Sequence, residues 1–173
     1  MNAKLKVRFQ RLEDDRQELT KLLKQQPEAV LNRRIRPGKW TINEILMHLL
    51  TAERMTAAYM KKKALGISQL GNSGLLEASK IGLLVLSQQL PLRYRAPAVV
   101  RSQTPAPVPL NTLSDEWDAT RIQLAEVLDN IGDDHLRRLI YRHPVVGLLD
   151  AGQCLTFMHA HFHHHLPQIT RLL

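Results

Sequence analysis

The last quarter of the chain, residues 150–173, constrains the fold most strongly because it places many imidazoles in a segment with a helical pattern. Five of the eight histidines of the protein fall in this segment. At 3.6 residues per turn, His161 and His165 share one face with apolar residues, whereas His159 and His163 point to roughly the opposite side. A helix that buries its apolar face therefore places His161 and His165 inside the protein and His159 and His163 in solvent.

Apolar residues recur every three or four positions in several other segments, which predicts further helices. We predict a first helix over residues 3–25, a second over 41–64, a shorter one over 75–90, a third long one that Ser114 caps and Gly132 ends, and a final one that begins at Asp150. The second and last helices each open on a capping box, formed by Thr41 with Glu44 and by Asp150 with Gln153. Trp40 precedes the first of these caps and is predicted to pack on Ile45. Residues 27–40 and 133–149 are predicted to be irregular connections.

A proline-rich stretch separates the two halves of the chain. Residues 91–112 hold five of the nine prolines, and a regular element cannot tolerate so many missing N–H groups. We interpret this stretch as an extended crossover, although a boundary between two domains would show the same proline-rich pattern. Because each half depends on the apolar faces of the other, we predict a single domain over residues 1–173. The fold class is then all-α, a four-helix bundle with a long proline-rich crossover.

Composition excludes some classes of function. The net charge of +8 invites a nucleic-acid interpretation, but the basic residues are scattered in small clusters and only eight aromatic side chains are present for base stacking. No apolar run is long enough for a transmembrane helix, and the N-terminal residues lack a signal-peptide pattern. With a single cysteine, Cys154, these features predict a cytoplasmic protein without a membrane partner. The uncharged stretch 81–86 predicts a homodimer contact.

His48 lies on the apolar face of the predicted second helix, where Ile45 and Tyr59 share its direction. It is a histidine that can meet His161 and His165 from another helix. Three neutral imidazoles with an open position form a catalytic type of zinc site, which nickel, cobalt or iron also accept. The alternative is that these rings are hydrogen-bonded core histidines, and periodicity alone does not separate the two. His135 and His143 fall in irregular segments, so we predict that they lie on the surface.

Two motifs then carry a family resemblance. Residues 39–53 read K-W-T-I-N-E-I-L-M-H-L-L-T-A-E and residues 161–169 read H-F-H-H-H-L-P-Q-I. Together they resemble the DinB/YfiT-like family of four-helix bundle metalloproteins, and the long crossover fits that family. The resemblance implies that His48, His161 and His165 ligate a metal, the same set that the helical periodicity selects. Residues 65–112 carry no signature of the family.

The resemblance also implies a function, since thiol S-transferases are among the characterised members of that family. We expect a metal-dependent transferase or hydrolase in which a divalent ion, zinc or nickel, activates a thiol or water for reaction with a small-molecule substrate. Glu44, one turn before His48, is a candidate proton acceptor, or it serves only to complete the capping box. Cys154 lies two turns from His161, too far to ligate the same ion, and is predicted to be a core residue.

Two other classes of protein fit the same sequence. A helical bundle that binds metal without turnover would need a closed site with four protein ligands, and the sequence offers no obvious fourth ligand. A basic helical protein that binds an acidic partner would need a contiguous basic face and salt-sensitive binding.

Overall fold

The structure, a computed structural model, describes residues 1–89 and 105–173. The helices, numbered in chain order, are α1 (Ala3–Leu23), α2 (Glu28–Leu31), α3 (Ile42–Ala64), α4 (Leu75–Gln89), α5 (Leu110–Asp129) and α6 (Ala151–Thr170). Two short strands, β1 (Tyr141–His143) and β2 (Gly147–Leu149), lie between α5 and α6. Short 3₁₀ turns occupy Ile67–Gln69 and Asp133–His135. Residues 91–104 of the predicted crossover lie outside the described residues.

The four long helices form a closed ring. Helix α1 packs against α5 and α6, and α3 packs against the same two helices, while α4 lies on the outside of α6. This arrangement confirms the all-α bundle that the periodicity predicts. Among the helices that the structure describes, none is long and apolar enough to cross a membrane.

Helix α3 is enclosed on more than one side. Leu49, which flanks the apolar arc around His48, is 1% exposed, and Leu46 and Leu50 are at most 1% exposed as well. Met47 and Ala57, which fall on the face opposite His48 in a helical projection, are also buried. At these two positions the face opposite His48 is therefore not exposed to solvent, because both α5 and α6 cover α3.

Helix α5 begins five residues earlier than its sequence predicts, with Pro109 instead of Ser114 at the N-cap position. The chain enters the helix through Pro109, whose carbonyl accepts a hydrogen bond from the Leu113 N–H at 3.0 Å. Proline suits this position because the first helical turn requires no N–H from it. Ser114, predicted to be the N-cap, is instead buried within the helix, so that prediction is wrong.

The segment between α5 and α6 is more ordered than predicted. Strands β1 and β2 pair antiparallel with His143 opposite Gly147, and Gly147 adopts a φ of 82°, a conformation that favours glycine. A backbone hydrogen bond of 2.9 Å from the Leu139 N–H to the Gly71 carbonyl ties the approach to this hairpin to the loop after α3. The prediction of an irregular connection is therefore wrong for these residues.

Helix α4 buries one side and exposes the other. Ile81 and Leu84 are 8% exposed, whereas Leu83 and Leu86 are 69% and 55% exposed. The helix thus uses only part of its apolar surface against α6. The homodimer contact predicted from the stretch 81–86 stays a prediction.

A buried ion pair joins α3 to α5. Arg121 Nη2 lies 2.8 Å from Glu53 Oε1, and both side chains are at most 4% exposed. The other oxygen of Glu53 accepts a hydrogen bond of 2.5 Å from Trp117 Nε1. Glu13 of α1 completes the group, 3.4 Å from Arg121 Nε. Removal of one charge would leave its partner buried without compensation, which is strongly destabilising.

We expect Glu53→Gln to lower the free energy of unfolding by about 3 kcal/mol, because the Arg121 guanidinium would stay buried without its main counter-charge. Glu116→Gln is the matched control, since Glu116 pairs with Arg54 at 3.3 Å with both side chains at least 40% exposed. The control should cost less than about 1 kcal/mol. Urea denaturation of the three proteins measures both values, and equal losses would contradict the assignment.

Candidate metal centre

Two helix caps set the positions of the histidines. Thr41 Oγ1 accepts a hydrogen bond from the Glu44 N–H at 3.1 Å, and Asp150 Oδ1 accepts one from the Gln153 N–H at 2.8 Å. In both caps the side chain three residues on also accepts from the N-cap N–H, so both predicted capping boxes are confirmed. Each box fixes where its helix begins and therefore the direction in which the later histidines point.

The imidazoles of His48, His161 and His165 converge between α3 and α6. His161 Nε2 lies 3.2 Å from His48 Nε2 and 3.3 Å from His165 Nε2. The three ligand atoms all lie within 4.8 Å of one another, so the group could hold a metal ion. Tetrahedral zinc with bonds of about 2.0–2.1 Å to nitrogen requires ligand atoms about 3.3 Å apart, which two of these separations match.

The environment keeps all three rings neutral. Burial lowers the pKa of His48 to about 4. Burial, together with the neighbouring imidazole of His48, lowers the pKa of His165 to about 3. Burial and the other rings hold the pKa of His161 well below its ordinary value of 6.5. Neutral imidazoles retain the lone pair that a metal requires, so the site is prepared for ligation at neutral pH.

Gln168 selects the tautomer of His165. Its side-chain Oε1 lies 3.1 Å from His165 Nδ1, and because an amide oxygen can only accept, the ring nitrogen donates. In the neutral ring the lone pair then resides on Nε2, the atom that faces His48 and His161. His48 has no such support within the described residues, since its buried Nδ1 lacks a hydrogen-bond partner. Gln168 falls on the same predicted face as His165, and this spacing was the available signal for its role.

Trp40 flanks the site. Its ring centroid lies 5.0 Å from that of His48 and 6.4 Å from that of His165, nearly parallel to the latter. The side chain is 36% exposed, so it stands between the histidines and solvent. The sequence predicts a contact of Trp40 with Ile45 but gives no signal for its position beside the imidazoles.

The other side of the site is an aromatic wall. Phe157 stacks on His161 with centroids 5.6 Å apart, and the ring of His143 meets Phe157 edge-on at 4.4 Å. His143 is 7% exposed, so the prediction that it lies on the surface is wrong. The hairpin carries it inward, where its Nδ1 accepts from the Val145 and Val146 N–H groups. Burial lowers the pKa of His143 to about 4.

Glu44 is engaged away from the histidines. Its Oε2 accepts from the Thr41 N–H at 2.7 Å, and its Oε1 pairs with Arg34 Nη2 at 2.5 Å. Burial alone would raise the pKa of Glu44, but the Thr41 N–H and the Arg34 guanidinium outweigh it and lower the pKa. A carboxylate held in its charged form by two partners is a weak proton acceptor, so the structure favours the capping role.

The predicted positions of Cys154, His159 and His163 agree with the structure. Cys154 is fully buried, and burial raises the pKa of its thiol well above the ordinary value, as expected of a core cysteine. His159 and His163 point outward, with side chains 34% and 45% exposed, and both contact Asp15 of α1.

Comparisons with known proteins agree with the geometry. A family model described as the DinB superfamily matches residues 11–169. This range includes all three histidines of the cluster and the cap that precedes His48. No curated protein and no solved structure matches the chain.

The lowered pKa values predict how the stability of the metal-free protein depends on pH. His48 and His143 have pKa values of about 4, against 6.5 in an exposed setting. Below pH 6.5 the unfolded chain therefore binds more protons than the folded one, and stability falls as pH drops toward 4. Each such histidine should remove about 2 kcal/mol between pH 7 and pH 5.

Urea denaturation in the presence of a chelator at pH 7, 6 and 5 measures this loss. His143→Gln should flatten the dependence, since one buried neutral imidazole is removed. A free energy of unfolding that stays constant over this range would contradict the assignment.

Proposed function

This chain belongs to the DinB superfamily, and from that premise we propose that it is a metal-dependent enzyme acting on a small molecule. The observation that carries the proposal is the convergence of three Nε2 atoms, from His48, His161 and His165, in a setting that keeps their rings neutral. Among the divalent ions, zinc and nickel are well suited to neutral imidazole ligands.

Three protein ligands leave part of the coordination sphere of such an ion available. A divalent ion bound here would lower the pKa of a coordinated thiol or water and so provide a nucleophile at neutral pH. The three histidines would hold the ion, and the side chains around them would restrict which molecules reach its open coordination position.

A thiol suits this site better than water does. Hydrolysis gains from a nearby general base, and the candidate for that role, Glu44, is committed to Thr41 and Arg34. A thiol already has an ordinary pKa near 8.5, so a metal ligand position alone suffices to hold it as a thiolate. We therefore propose a thiol S-transferase, in which sulfur forms a bond to an electrophilic carbon, the leaving group departs with its electron pair, and the thiol proton passes to solvent.

The aromatic side chains around the cluster support a substrate with an apolar portion. Trp40 offers a partly exposed indole beside His48, and Phe157 covers the far side of His161. Rings in these positions can pack on the substrate and exclude water from the reacting sulfur.

We expect the purified protein to bind a tightly held Zn²⁺ or Ni²⁺ ion through the three histidines. His48→Ala and His161→Ala should each weaken binding by more than about 100-fold, because a direct ligand matters at least as much as the residues that orient it. Elemental analysis after dialysis against a low, buffered concentration of the free ion measures the loss. His135→Ala, which changes a histidine outside the cluster, is the matched control and should retain the ion.

Fluorescence reports on the same site independently. Because the Trp40 ring lies 5.0 Å from His48 by centroid, Ni²⁺ bound there should quench its emission. Trp40→Phe should remove that component of the quenching while the ion still binds. Wild-type protein without stoichiometric metal, or His48→Ala protein in which Ni²⁺ still quenches Trp40, would overturn the proposed site.

We expect the metal-loaded protein to transfer a small thiol to an electrophilic acceptor. The loss of several kcal/mol of metal assistance in His161→Ala should lower kcat/KM by on the order of 1,000-fold. Glu44→Gln should lower stability through its cap and yet retain most of the activity. Steady-state assays with and without thiol separate transfer from hydrolysis, and turnover that needs no thiol would replace the transferase by a hydrolase.

A further inference from the structure

Helix α6 carries a second pair of histidines on its other side, and this pair also meets a residue from a neighbouring helix. His159 and His163 are four residues apart, so they share a face one turn apart. Each lies two positions from a member of the inner pair, a rotation of about 200° around the helix. Asp15 of α1, which packs directly against α6, lies opposite them.

The three side chains converge on one point. Asp15 Oδ2 lies 3.2 Å from His159 Nε2 and 2.9 Å from His163 Nε2. The two ring centroids are 4.3 Å apart, and the three ligand atoms all lie within 4.8 Å of one another. Two imidazole nitrogens and a carboxylate oxygen around zinc would stand about 3.3 Å apart, so small side-chain movements would suffice to admit an ion.

We propose that Asp15, His159 and His163 form a second, outer binding site for a transition-metal dication. The donor set favours ions such as Zn²⁺, Ni²⁺ or Cu²⁺, whereas Mg²⁺ and Ca²⁺ prefer sites built from oxygen alone. The side chains are 22% to 45% exposed, so an ion reaches them without any opening of the bundle. This site shares no ligand with the inner cluster and does not depend on the proposed catalytic function.

One neighbouring charge opposes a cation here. Arg11, one turn before Asp15 on α1, is close enough to interact electrostatically with His159. The carboxylate of Asp15 offsets that charge at shorter range. The outer site is therefore weaker than the inner one, and Arg11→Ala should tighten it.

An ion at this position would link α1 to α6. Since α1 and α6 are distant in sequence, a bond between them stabilises the folded chain and not the unfolded one. Added Zn²⁺ should therefore raise the melting temperature by a component that depends on Asp15 as well as by one that depends on the inner cluster.

Equilibrium dialysis against buffered Zn²⁺, followed by elemental analysis, tests the proposal. We expect two ions per chain in the wild type, one in Asp15→Asn and one in His159→Ala. Asp14→Asn is the matched control, because Asp14 is an exposed carboxylate on the same helix that accepts a hydrogen bond from Gln10. It should keep both ions, and excess Mg²⁺ should displace neither.

The outcomes distinguish the two sites. If Asp15→Asn and His159→Ala bind as many ions as the wild type, or if the wild type binds only the ion that His48→Ala removes, the outer site is wrong and the cluster is a hydrogen-bonded surface group. If the wild type binds one ion that Asp15→Asn removes and His48→Ala retains, the outer site stands and the proposed catalytic centre fails. The substitutions at Asp15 and His159 change exposed or half-exposed side chains, and circular dichroism checks that the helices persist.

Discussion

The enclosure of α6 by α1, α3 and α4 is the constraint on which both histidine clusters depend. A helix with neighbours on several sides has a fixed rotation about its axis, because turning it would expose Leu155 or Phe162, both 1% exposed. Once that rotation is fixed, opposite faces of the helix present imidazoles to α3 and to α1. Packing of the apolar core therefore determines where the α6 histidines lie, and the bundle does not depend on either histidine cluster to form.

The same packing explains how much the sequence could predict. The division of the α6 histidines follows from helical periodicity and from a capping box that fixes where the helix begins. The inward position of His48 follows in the same way, because Thr41 and Glu44 mark the start of α3 and apolar residues lie on the same face as the histidine. These inferences need only local geometry and the rule that apolar faces are buried, so they could be made without a structure.

The predictions that failed depend on contacts between distant segments. The inward position of His143 follows from the hairpin of β1 and β2, whose preceding residue Leu139 is hydrogen-bonded to Gly71 in the loop after α3. No local sequence pattern indicates that contact. The position of Trp40 beside His165, for which the sequence gave no signal, likewise joins residues more than a hundred positions apart. The prediction of where α5 begins was wrong for a different reason. Ser114 belongs to a residue type that often caps helices, but here it is buried inside a longer helix.

The hairpin of β1 and β2 affects how the surroundings of the histidines can vary between related sequences. Phe157 and the histidines that could ligate a metal belong to helices, whereas His143 reaches Phe157 from a two-stranded turn outside the bundle. A new turn length or side chain there would reshape one wall beside the histidines while the helical core and its ligand geometry stayed intact. The shape of the space beside the histidines could thus differ between relatives through a peripheral element, while the helices that position the three imidazoles stayed the same.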